Sequence, residues 1–326
     1  MSVLRQICAH GDSGGGMGIK AAISELEKRF GKGIVYRLGD ETRGTKYLKT
    51  GSLVLDRCIG GGFPVGRIVE LYGPEGSGKT SLALHAIREA QRVGVICGYV
   101  DMEHAVDIEF AKRIGVEVGE LNFAQPDYGE MALEVVMGLV GECGLIVVDS
   151  VATLTPKAEI DGDMGDVHMG LQARLMSQAM RKLGPKCSRE GCCLVFINQI
   201  RMRIGGYGSP ETTSGGLALK FNASVRVDLR RRMGEKDMLE GGHRIEFRVV
   251  KNRVGPPFRS GKSDFYYEFG LDNVGELLGL AIQDGVVILK GNSYFYGEER
   301  LGTGREQAVR GLKGFYEEVL EKISKN

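Results

Sequence analysis

The 326-residue sequence has no long apolar run, no C-x-x-C pair and almost no net charge. A membrane-spanning helix needs about 18 consecutive apolar residues, and no stretch approaches that length. Residues 1–16 also lack the apolar core of a signal peptide. Because the formal net charge is only +1, any nucleic-acid site must be a local basic patch and not a global field. These absences predict an intracellular, cytoplasmic protein with no membrane partner.

The cysteines form neither a disulfide framework nor a zinc site. An odd count without paired spacing, largely within apolar runs, is typical of reduced core residues in a cytosolic protein. Three of them lie close together, but zinc spacing and a fourth ligand are missing. The seven are Cys8, Cys58, Cys97, Cys143, Cys187, Cys192 and Cys193.

The most informative stretch is residues 73–80, which fit G-x-x-x-x-G-K-[ST], the phosphate-binding loop of nucleoside triphosphatases. An apolar run at 67–72 predicts a strand before it, and 81–93 predicts a helix after it. Glycines let successive N–H groups point at one anion, and the helix N-terminus adds its dipole. A chance Gly-rich turn would not explain both flanks. The loop comprises Gly73, Pro74, Glu75, Gly76, Ser77, Gly78, Lys79 and Thr80.

Two loop residues have assignable chemistry. Lys79 would reach the β- and γ-phosphates, and the Thr80 hydroxyl would bind Mg²⁺. Asp149 ends the buried strand 145–148, a Walker B pattern, and would hold the magnesium shell.

Strands and helices alternate from 95 to 197, which predicts an α/β fold with a mostly parallel sheet covered on both faces. The expected strands are 95–100, 121–124, 145–148 and 192–197, and the expected helices are 108–114, 129–140 and 169–183. Strands at 225–229, 244–250 and 264–269 predict an antiparallel extension. Helices at 274–283 and 306–325 around a hairpin predict a small C-terminal α/β domain, and 19–30 predicts an N-terminal amphipathic helix.

Two further strand ends carry candidates for hydrolysis. Glu103 directly follows a buried strand and is the candidate general base, although an ordinary solvated turn explains it equally well. Gln199 follows strand 192–197, and its amide could hydrogen-bond the γ-phosphate and report its loss.

Two long loops, 155–168 and 200–216, are candidate binding segments because loops of this length in a compact domain are usually functional or disordered. After the first, Arg174, Ser177 and Arg181 share one helix face, which suits a phosphate backbone but also fits a plain solvated face. The second combines arginines, one aromatic residue and several glycines, which are the parts of a single-strand site. Its members are Arg201, Arg203, Tyr207, Gly215 and Gly216.

The chain resembles the bacterial RecA recombinase family from about residue 18 to about residue 314. The matching stretches include 50–56 (TGSLVLD), the phosphate loop, 101–105 (DMEHA), 147–151 (VVDSV), 168–171 (HMGL), 176–183 (MSQAMRKL), 196–202 (FINQIRM), 210–213 (PETT), 218–221 (ALKF) and 249–252 (VVKN). A RecA-type core would then span 51–271. It would lie between a 1–17 extension taken as disordered, an 18–50 polymerisation arm and a 272–326 C-terminal domain.

The resemblance implies an ATP- and Mg²⁺-dependent helical filament on single-stranded DNA, which pairs with homologous duplex DNA and exchanges strands. ATP would lie between subunits, with Glu103 activating water and Gln199 sensing the γ-phosphate. Lys251 and Arg253 would reach the nucleotide from the adjacent subunit, although both also fit simple strand-surface charge. The remaining nucleotide contacts would be Ser81, Asp107, Phe110 and Phe269, the last two beside the adenine.

The same resemblance implies the macromolecular contacts. Met169 and Tyr207 would wedge bases within the two DNA loops. Arg230, Arg231 and Arg248 would face the duplex. Subunits would meet through Glu211, Lys220 and Phe221, and through the N-terminal helix. Family members also stimulate self-cleavage of the SOS repressor.

Some positions depart from the family pattern. Arg253 stands where a lysine is usual, and its planar fork changes the geometry of any phosphate contact. Glu246 replaces a usual cation of the duplex-facing site, which would weaken duplex capture. A ring-forming RecA-fold helicase shares the phosphate loop but does not predict 210–213 or 251–253. A non-catalytic filament scaffold predicts ATP binding with little DNA-stimulated turnover.

Overall fold

A computed structural model describes residues 15–31, 35, 44–163, 170–202, 211–232, 234 and 238–324. The residues up to Gly44 and those from Thr45 onwards form two separate compact units. The helices in chain order are α1 (Gly15–Phe30), α2 (Leu53–Ile59), α3 (Lys79–Arg92), α4 (Ile108–Arg113), α5 (Gly129–Leu139), α6 (Lys157–Ile160), α7 (Leu171–Glu190), α8 (Ala218–Asn222), α9 (Asn273–Gln283), α10 (Arg305–Leu312) and α11 (Tyr316–Ser324).

The larger unit is built on a sheet with the strand order β13-β12-β11-β9-β3-β7-β6-β4-β5, with β10 on β11 and β8 on β7. The strands in chain order are β1 (Tyr47–Leu48), β2 (Phe63–Pro64), β3 (Ile68–Gly73), β4 (Cys97–Asp101), β5 (Leu121–Ala124), β6 (Leu145–Asp149), β7 (Cys193–Met202), β8 (Glu211–Thr213), β9 (Val225–Arg231), β10 (Met238–Leu239), β11 (Gly242–Asn252), β12 (Ser260–Tyr266), β13 (Gly270–Leu271), β14 (Val287–Lys290), β15 (Ser293–Tyr296) and β16 (Glu299–Thr303).

The block from β9 to β5 is parallel, which confirms the predicted α/β class. Alternate residues of β6 enter different cores: Leu145 and Val147 pack with α3, whereas Ile146 and Val148 pack with α5 and α7. This period of two is what a sheet covered on both faces requires. The carboxyl ends of β3, β4, β6 and β7 therefore meet at one edge, where the site is built.

The antiparallel extension begins one strand later than the sequence suggested. Strand β9 pairs in parallel with β3, and the antiparallel pairing of the extension begins at β11 and continues through β12 and β13. The last of the predicted strands also moves, from 264–269 to Ser260–Tyr266.

Two predicted helices have different bounds in the structure. The helix expected to stop at Leu183 continues through Pro185 to Glu190, where Gly191 ends it in the left-handed conformation with φ of 69°. The predicted C-terminal helix 306–325 is divided into α10 and α11 by a 3-10 turn, Lys313–Phe315. Together with α9 and the β14–β15–β16 sheet, these helices enclose a third core.

Helix α1 confirms the predicted amphipathic helix and extends it back to Gly15. Three of its apolar side chains are exposed: 60% for Ile19, 39% for Leu26 and 58% for Phe30. No helix in the described ranges is both long and apolar enough to cross a bilayer.

Candidate nucleotide and DNA-facing site

The phosphate loop joins β3 to α3 as the motif predicts. Gly76 and Gly78 have φ angles of 66° and 87°, a region that L side chains rarely adopt. At Gly73 a Cβ atom would lie 2.1 Å from the Leu229 carbonyl oxygen, so no side chain fits there. Residues 75–80 of the loop, with Ser81, Glu103, Asp149 and Gln199, line a cleft of about 240 Å³.

Lys79 is buried and folded back onto its own loop. Its Nζ donates to the carbonyl oxygens of Gly73 (3.2 Å) and Pro74 (2.7 Å). Burial lowers the pKa of this ammonium, although the carboxylates of Asp149 and Glu103 oppose that shift. Ser77 Oγ is buried without a hydrogen-bond partner among the described residues. The Ser77 hydroxyl and the Lys79 ammonium, both in this loop, are hydrogen-bond donors suited to the oxygen atoms of a phosphate chain.

Thr80 and Asp149 offer the oxygen ligands that Mg²⁺ prefers. Thr80 Oγ1 donates to Asp149 Oδ2 at 2.7 Å, and Tyr99 Oη donates to the same oxygen at 2.8 Å. Burial raises the pKa of Asp149 to about 6, and the two hydrogen bonds limit that rise. The donor set therefore fits the implied metal.

The structure brings Glu103 and Gln199 together. Glu103 Oε1 accepts from Gln199 Nε2 at 2.8 Å and from Ser150 Oγ at 2.5 Å. Gln199 lies within β7, opposite Gly73 in the parallel register. Both candidate hydrolytic side chains thus border the phosphate loop, as expected from their places at strand ends.

The two aromatic residues expected beside the adenine each contact another aromatic ring. Asp107 caps α4 by accepting from Phe110 N, and the Phe110 ring lies 6.4 Å from that of Phe265. Phe269 stacks on Tyr266 at 4.8 Å. Their place beside the adenine stays a prediction.

Lys251 and Arg253 bind the end of α8 in their own chain. Lys251 Nζ donates to the carbonyl oxygens of Lys220 and Phe221, both at 2.8 Å. Arg253 Nη2 donates to the same Phe221 oxygen at 2.9 Å. Burial and the neighbouring guanidinium groups of Arg253 and Arg226 lower the pKa of Lys251 to about 8. Phe221 itself is 65% exposed, and Lys220 Nζ donates to Thr212 Oγ1 at 2.7 Å.

Only some of the residues proposed to bind single-stranded DNA lie in the part of the chain that the structure describes. Arg174 and Arg181 are exposed on α7, and Arg201 is exposed on the stem formed by β7 and β8. Ser177 is half-buried, and its Oγ donates to the Ala173 carbonyl oxygen within the helix. Gly215 and Gly216 follow the stem and pack against Val151, Met176 and Ala173. Met169, Arg203 and Tyr207 lie outside the described residues.

The duplex-facing candidates differ among themselves. Arg230 donates to both oxygens of Glu211, at 3.0 and 2.6 Å, and also to Asp228. Arg231 and Arg248 are exposed. The family resemblance implied separate roles for Arg230 and Glu211, duplex contact and subunit contact, and the fold pairs the two side chains with each other.

Sequence patterns alone did not indicate four polar residues near the site: Tyr99, Glu70, Asn198 and Gln172. Each lies in or beside an apolar segment and bonds to a residue that is distant in sequence. The only available signal was a polar group in a buried strand, as for Glu70 and Asn198, both 0% exposed.

The prediction that the cysteines are free core residues is confirmed in the described part of the chain. Cys58, Cys97, Cys143, Cys187, Cys192 and Cys193 are free and buried. Within the same ranges, no group of three or more His, Cys, Asp or Glu residues is arranged to hold a metal ion.

Comparisons with known proteins cover almost the whole chain. A family model described as the RecA N-terminal domain matches residues 17–272, and the RecA C-terminal domain matches residues 275–326. Protein RecA of Paracoccus denitrificans is 53% identical over 302 residues, covering 90% of this chain and 85% of that protein. Protein RecA of Geobacter sulfurreducens is 52% identical over 304 residues, covering 90% and 89%.

A solved structure shares the fold. The crystal structure of the RadB recombinase superposes with a TM-score of 0.54 at 22% identity, covering 69% of this chain and 98% of that one.

Proposed function

This chain belongs to the RecA family and is a recombinase of that family, and on that premise we propose how its residues carry out the reaction. The proposed activity is DNA-stimulated ATP hydrolysis within a helical filament on single-stranded DNA, which pairs the strand with homologous duplex. The observation that carries the proposal is the hydrogen bond from Gln199 to Glu103 at the mouth of the phosphate loop.

The chemistry of hydrolysis is assigned to three side chains. Lys79 would leave the carbonyl oxygens of its own loop for the β- and γ-phosphates, which offer a full negative charge. Glu103 would accept the proton of the attacking water. Gln199 would exchange Glu103 for a γ-phosphate oxygen, which releases Glu103 to act as the base. Bound Mg²⁺, held by Thr80 and Asp149, would neutralise phosphate charge.

The second half of the nucleotide site is assigned to the adjacent subunit. Lys251 lies on β11 and Arg253 directly follows that strand, and both bond to the end of α8, whose Phe221 is exposed. Exposed Ile19, Leu26 and Phe30 give α1 an apolar face suited to a neighbouring copy. Head-to-tail contacts of this kind generate a helical polymer when the rotation does not close a ring.

DNA is assigned to the edge beside the nucleotide. Exposed Arg174, Arg181 and Arg201 would neutralise the phosphates of the single strand, and Arg231 and Arg248 those of the duplex. On family membership alone, the proposal extends to a cytoplasmic location and to the SOS repressor as a partner. The similarity along both family domains does not favour a ring helicase or a non-catalytic scaffold.

The test is complementation between two inactive variants. Glu103→Gln lacks the base, and Lys251→Ala/Arg253→Ala lacks the proposed contribution to the neighbour. Mixed in equal amounts, they should recover about a quarter of the DNA-stimulated ATPase, because a quarter of random head-to-tail contacts join two intact halves.

Each variant alone should be inactive in hydrolysis. Strand exchange by the wild type, assayed with and without ATP, completes the test. A mixture no more active than its parts, with both variants folded and assembling, would refute the shared site.

A further inference from the structure

We propose that Asn198 and Gln172 are positioning residues that connect the end of the second DNA loop to Glu103. The inference rests on the proposed function and identifies how DNA at that loop would reach the hydrolytic site. Neither amide lies in the nucleotide cleft, so neither is expected to touch the nucleotide.

Asn198 joins the loop end to Gln199. Its Nδ2 donates to the Ser214 carbonyl oxygen at 3.1 Å, and its Oδ1 accepts from Gln199 N at 2.9 Å. Ser214 directly follows β8, whose pairing with Ile200 to Met202 closes the loop stem. A shift of that stem therefore changes the hydrogen bond between Ser214 and Asn198, and the same Asn198 amide accepts from the backbone N–H of Gln199.

A buried ion pair fixes the orientation of the Asn198 amide. Glu70 Oε1 accepts from Asn198 Nδ2 at 2.9 Å, and Glu70 Oε2 accepts from Arg226 Nε at 2.5 Å. An ionised carboxylate has no hydrogen to donate, so the nitrogen of Asn198 must face it. Glu70 is fully buried and Arg226 is 15% exposed, so this arrangement is shielded from solvent.

Gln172 forms a second connection from the same loop end. Its Oε1 accepts from Gly215 N at 3.2 Å, and its Nε2 donates to the Val151 carbonyl oxygen at 2.8 Å. Val151 follows Ser150, whose Oγ donates to Glu103. Gln172 is also the second residue of α7, the helix that carries Arg174 and Arg181.

Both connections end on one carboxylate oxygen. Gln199 Nε2 and Ser150 Oγ each donate to Glu103 Oε1. The element with two discrete arrangements is the Gln199 amide, which can bond either Glu103 or a γ-phosphate. Coupling through a packed network needs such an element, biased from both sites. Ser214 and Gly215 are adjacent at the loop end. They would bias the Gln199 amide through two different side chains, Ser214 through Asn198 and Gly215 through Gln172.

The test compares Asn198→Ala, Gln172→Leu and Gln172→Glu with Gln178→Ala as the matched control. Gln178 is an exposed amide on the same helix. Gln172→Leu removes the acceptor for Gly215 and the donor to the carbonyl oxygens of residues 151, 152 and 154. Gln172→Glu keeps the acceptor for Gly215 and loses that donor. The readouts are kcat and KM for ATP with saturating single-stranded DNA, basal kcat without DNA, and DNA affinity.

The stimulation ratio, DNA-saturated kcat over basal kcat, should fall at least about fivefold in Asn198→Ala and Gln172→Leu, the lower end of ordinary coupling between sites. KM for ATP and DNA affinity should change little, and Gln178→Ala should match the wild type. Gln172→Glu should behave as Gln172→Leu, since the bond to Val151 leads to Glu103.

Wild-type stimulation ratios in folded Asn198→Ala and Gln172→Leu overturn the inference, as does a loss explained by weaker DNA binding. A wild type without DNA-stimulated hydrolysis overturns the proposed function instead. Amide exchange separates the two, because Gly215 N–H should exchange faster in Gln172→Leu even without nucleotide or DNA. Unchanged exchange there means that Gln172 does not hold the loop end.

Discussion

Arg230 and Glu211 face each other through two parallel hydrogen bonds, of 3.0 and 2.6 Å, across the start of β8 and the end of β9. Such a fork-to-fork pair has defined geometry. It also lowers the pKa of Glu211, chiefly through the Arg230 hydrogen bonds. An arginine held in this way is less available to a DNA phosphate, and a glutamate held in this way is less available to a neighbouring subunit.

Glu211→Gln should therefore strengthen duplex binding. The gain should be up to about fivefold, because an exposed pair is worth only about 0.2–1 kcal/mol and Asp228 still holds Arg230. Fluorescence anisotropy with a labelled duplex at several salt concentrations measures it, and the slope of log affinity against log salt should steepen by about 0.9. A weaker complex with an unchanged slope would mean that Glu211 itself supports DNA binding and does not keep Arg230 from the phosphates.

Glu103→Gln should reduce hydrolysis at least about 100-fold while ATP still binds. The glutamine oxygen can accept from Ser150 and Gln199 as the carboxylate does, so the variant removes the base and keeps the local contacts. A single-turnover assay and a nucleotide-binding titration give the two numbers. Glu109→Gln, an exposed carboxylate on α4, is the control that should hydrolyse normally. Wild-type turnover in Glu103→Gln would remove Glu103 from the mechanism.

Tyr99→Phe should weaken Mg²⁺-dependent nucleotide binding about tenfold. The Tyr99 hydroxyl orients Asp149, and hydrogen bonds behind a metal ligand typically contribute 10- to 100-fold in metal affinity. The measurement is the Mg²⁺ concentration that half-saturates binding of a fluorescent ATP analogue. Phe123→Leu disturbs the ring stacked on Tyr99 but keeps the hydroxyl, so it should titrate as the wild type. Equal midpoints for Tyr99→Phe and the wild type would show that the hydroxyl is dispensable.

Glu276 should make stability depend on pH in an unusual direction. This residue of α9 accepts from Ser52 Oγ (2.7 Å) and Leu53 N (2.6 Å), and burial raises the pKa of its carboxyl from 4.5 to about 7. Between those pH values the unfolded chain has lost this proton while the folded chain retains it. The free energy of unfolding therefore falls as pH rises from about 4.5 to about 7, by roughly 3 kcal/mol from this group.

Glu276→Gln is neutral at every pH and should flatten that part of the profile. Urea denaturation of both proteins at pH 4.5, 5.5, 6.5 and 7.5 measures the difference, which cancels contributions from other buried carboxyls. Parallel profiles would mean that Glu276 is already ionised in the folded protein.

The sequence predicted that Glu103 and Gln199 would lie beside the phosphate loop, because the patterns involved are local. The phosphate loop is contiguous, and Glu103 and Gln199 follow parallel strands, whose carboxyl ends meet at one edge of a sheet. Phe269 was predicted to lie within the last strand, but β12 ends at Tyr266, because the ends of a strand depend on its pairing partners and not on local pattern alone. Asn198, Gln172 and Glu70 bond to partners up to 156 residues away, which no local pattern encodes.

The cap of α8 has a consequence for communication along a polymer. This five-residue helix is too short to be stable by itself, and its final carbonyl oxygens are held by Lys251 and Arg253, which lie outside it. If Lys251 and Arg253 moved to the phosphates of a neighbouring subunit, those carbonyl oxygens would lose their hydrogen-bond donors. The turn that carries the exposed Phe221 would then become less ordered. The order of α8 in one protomer would then depend on whether nucleotide is bound in the adjacent protomer, so hydrolysis at one subunit boundary would change the structure of the helix beside it.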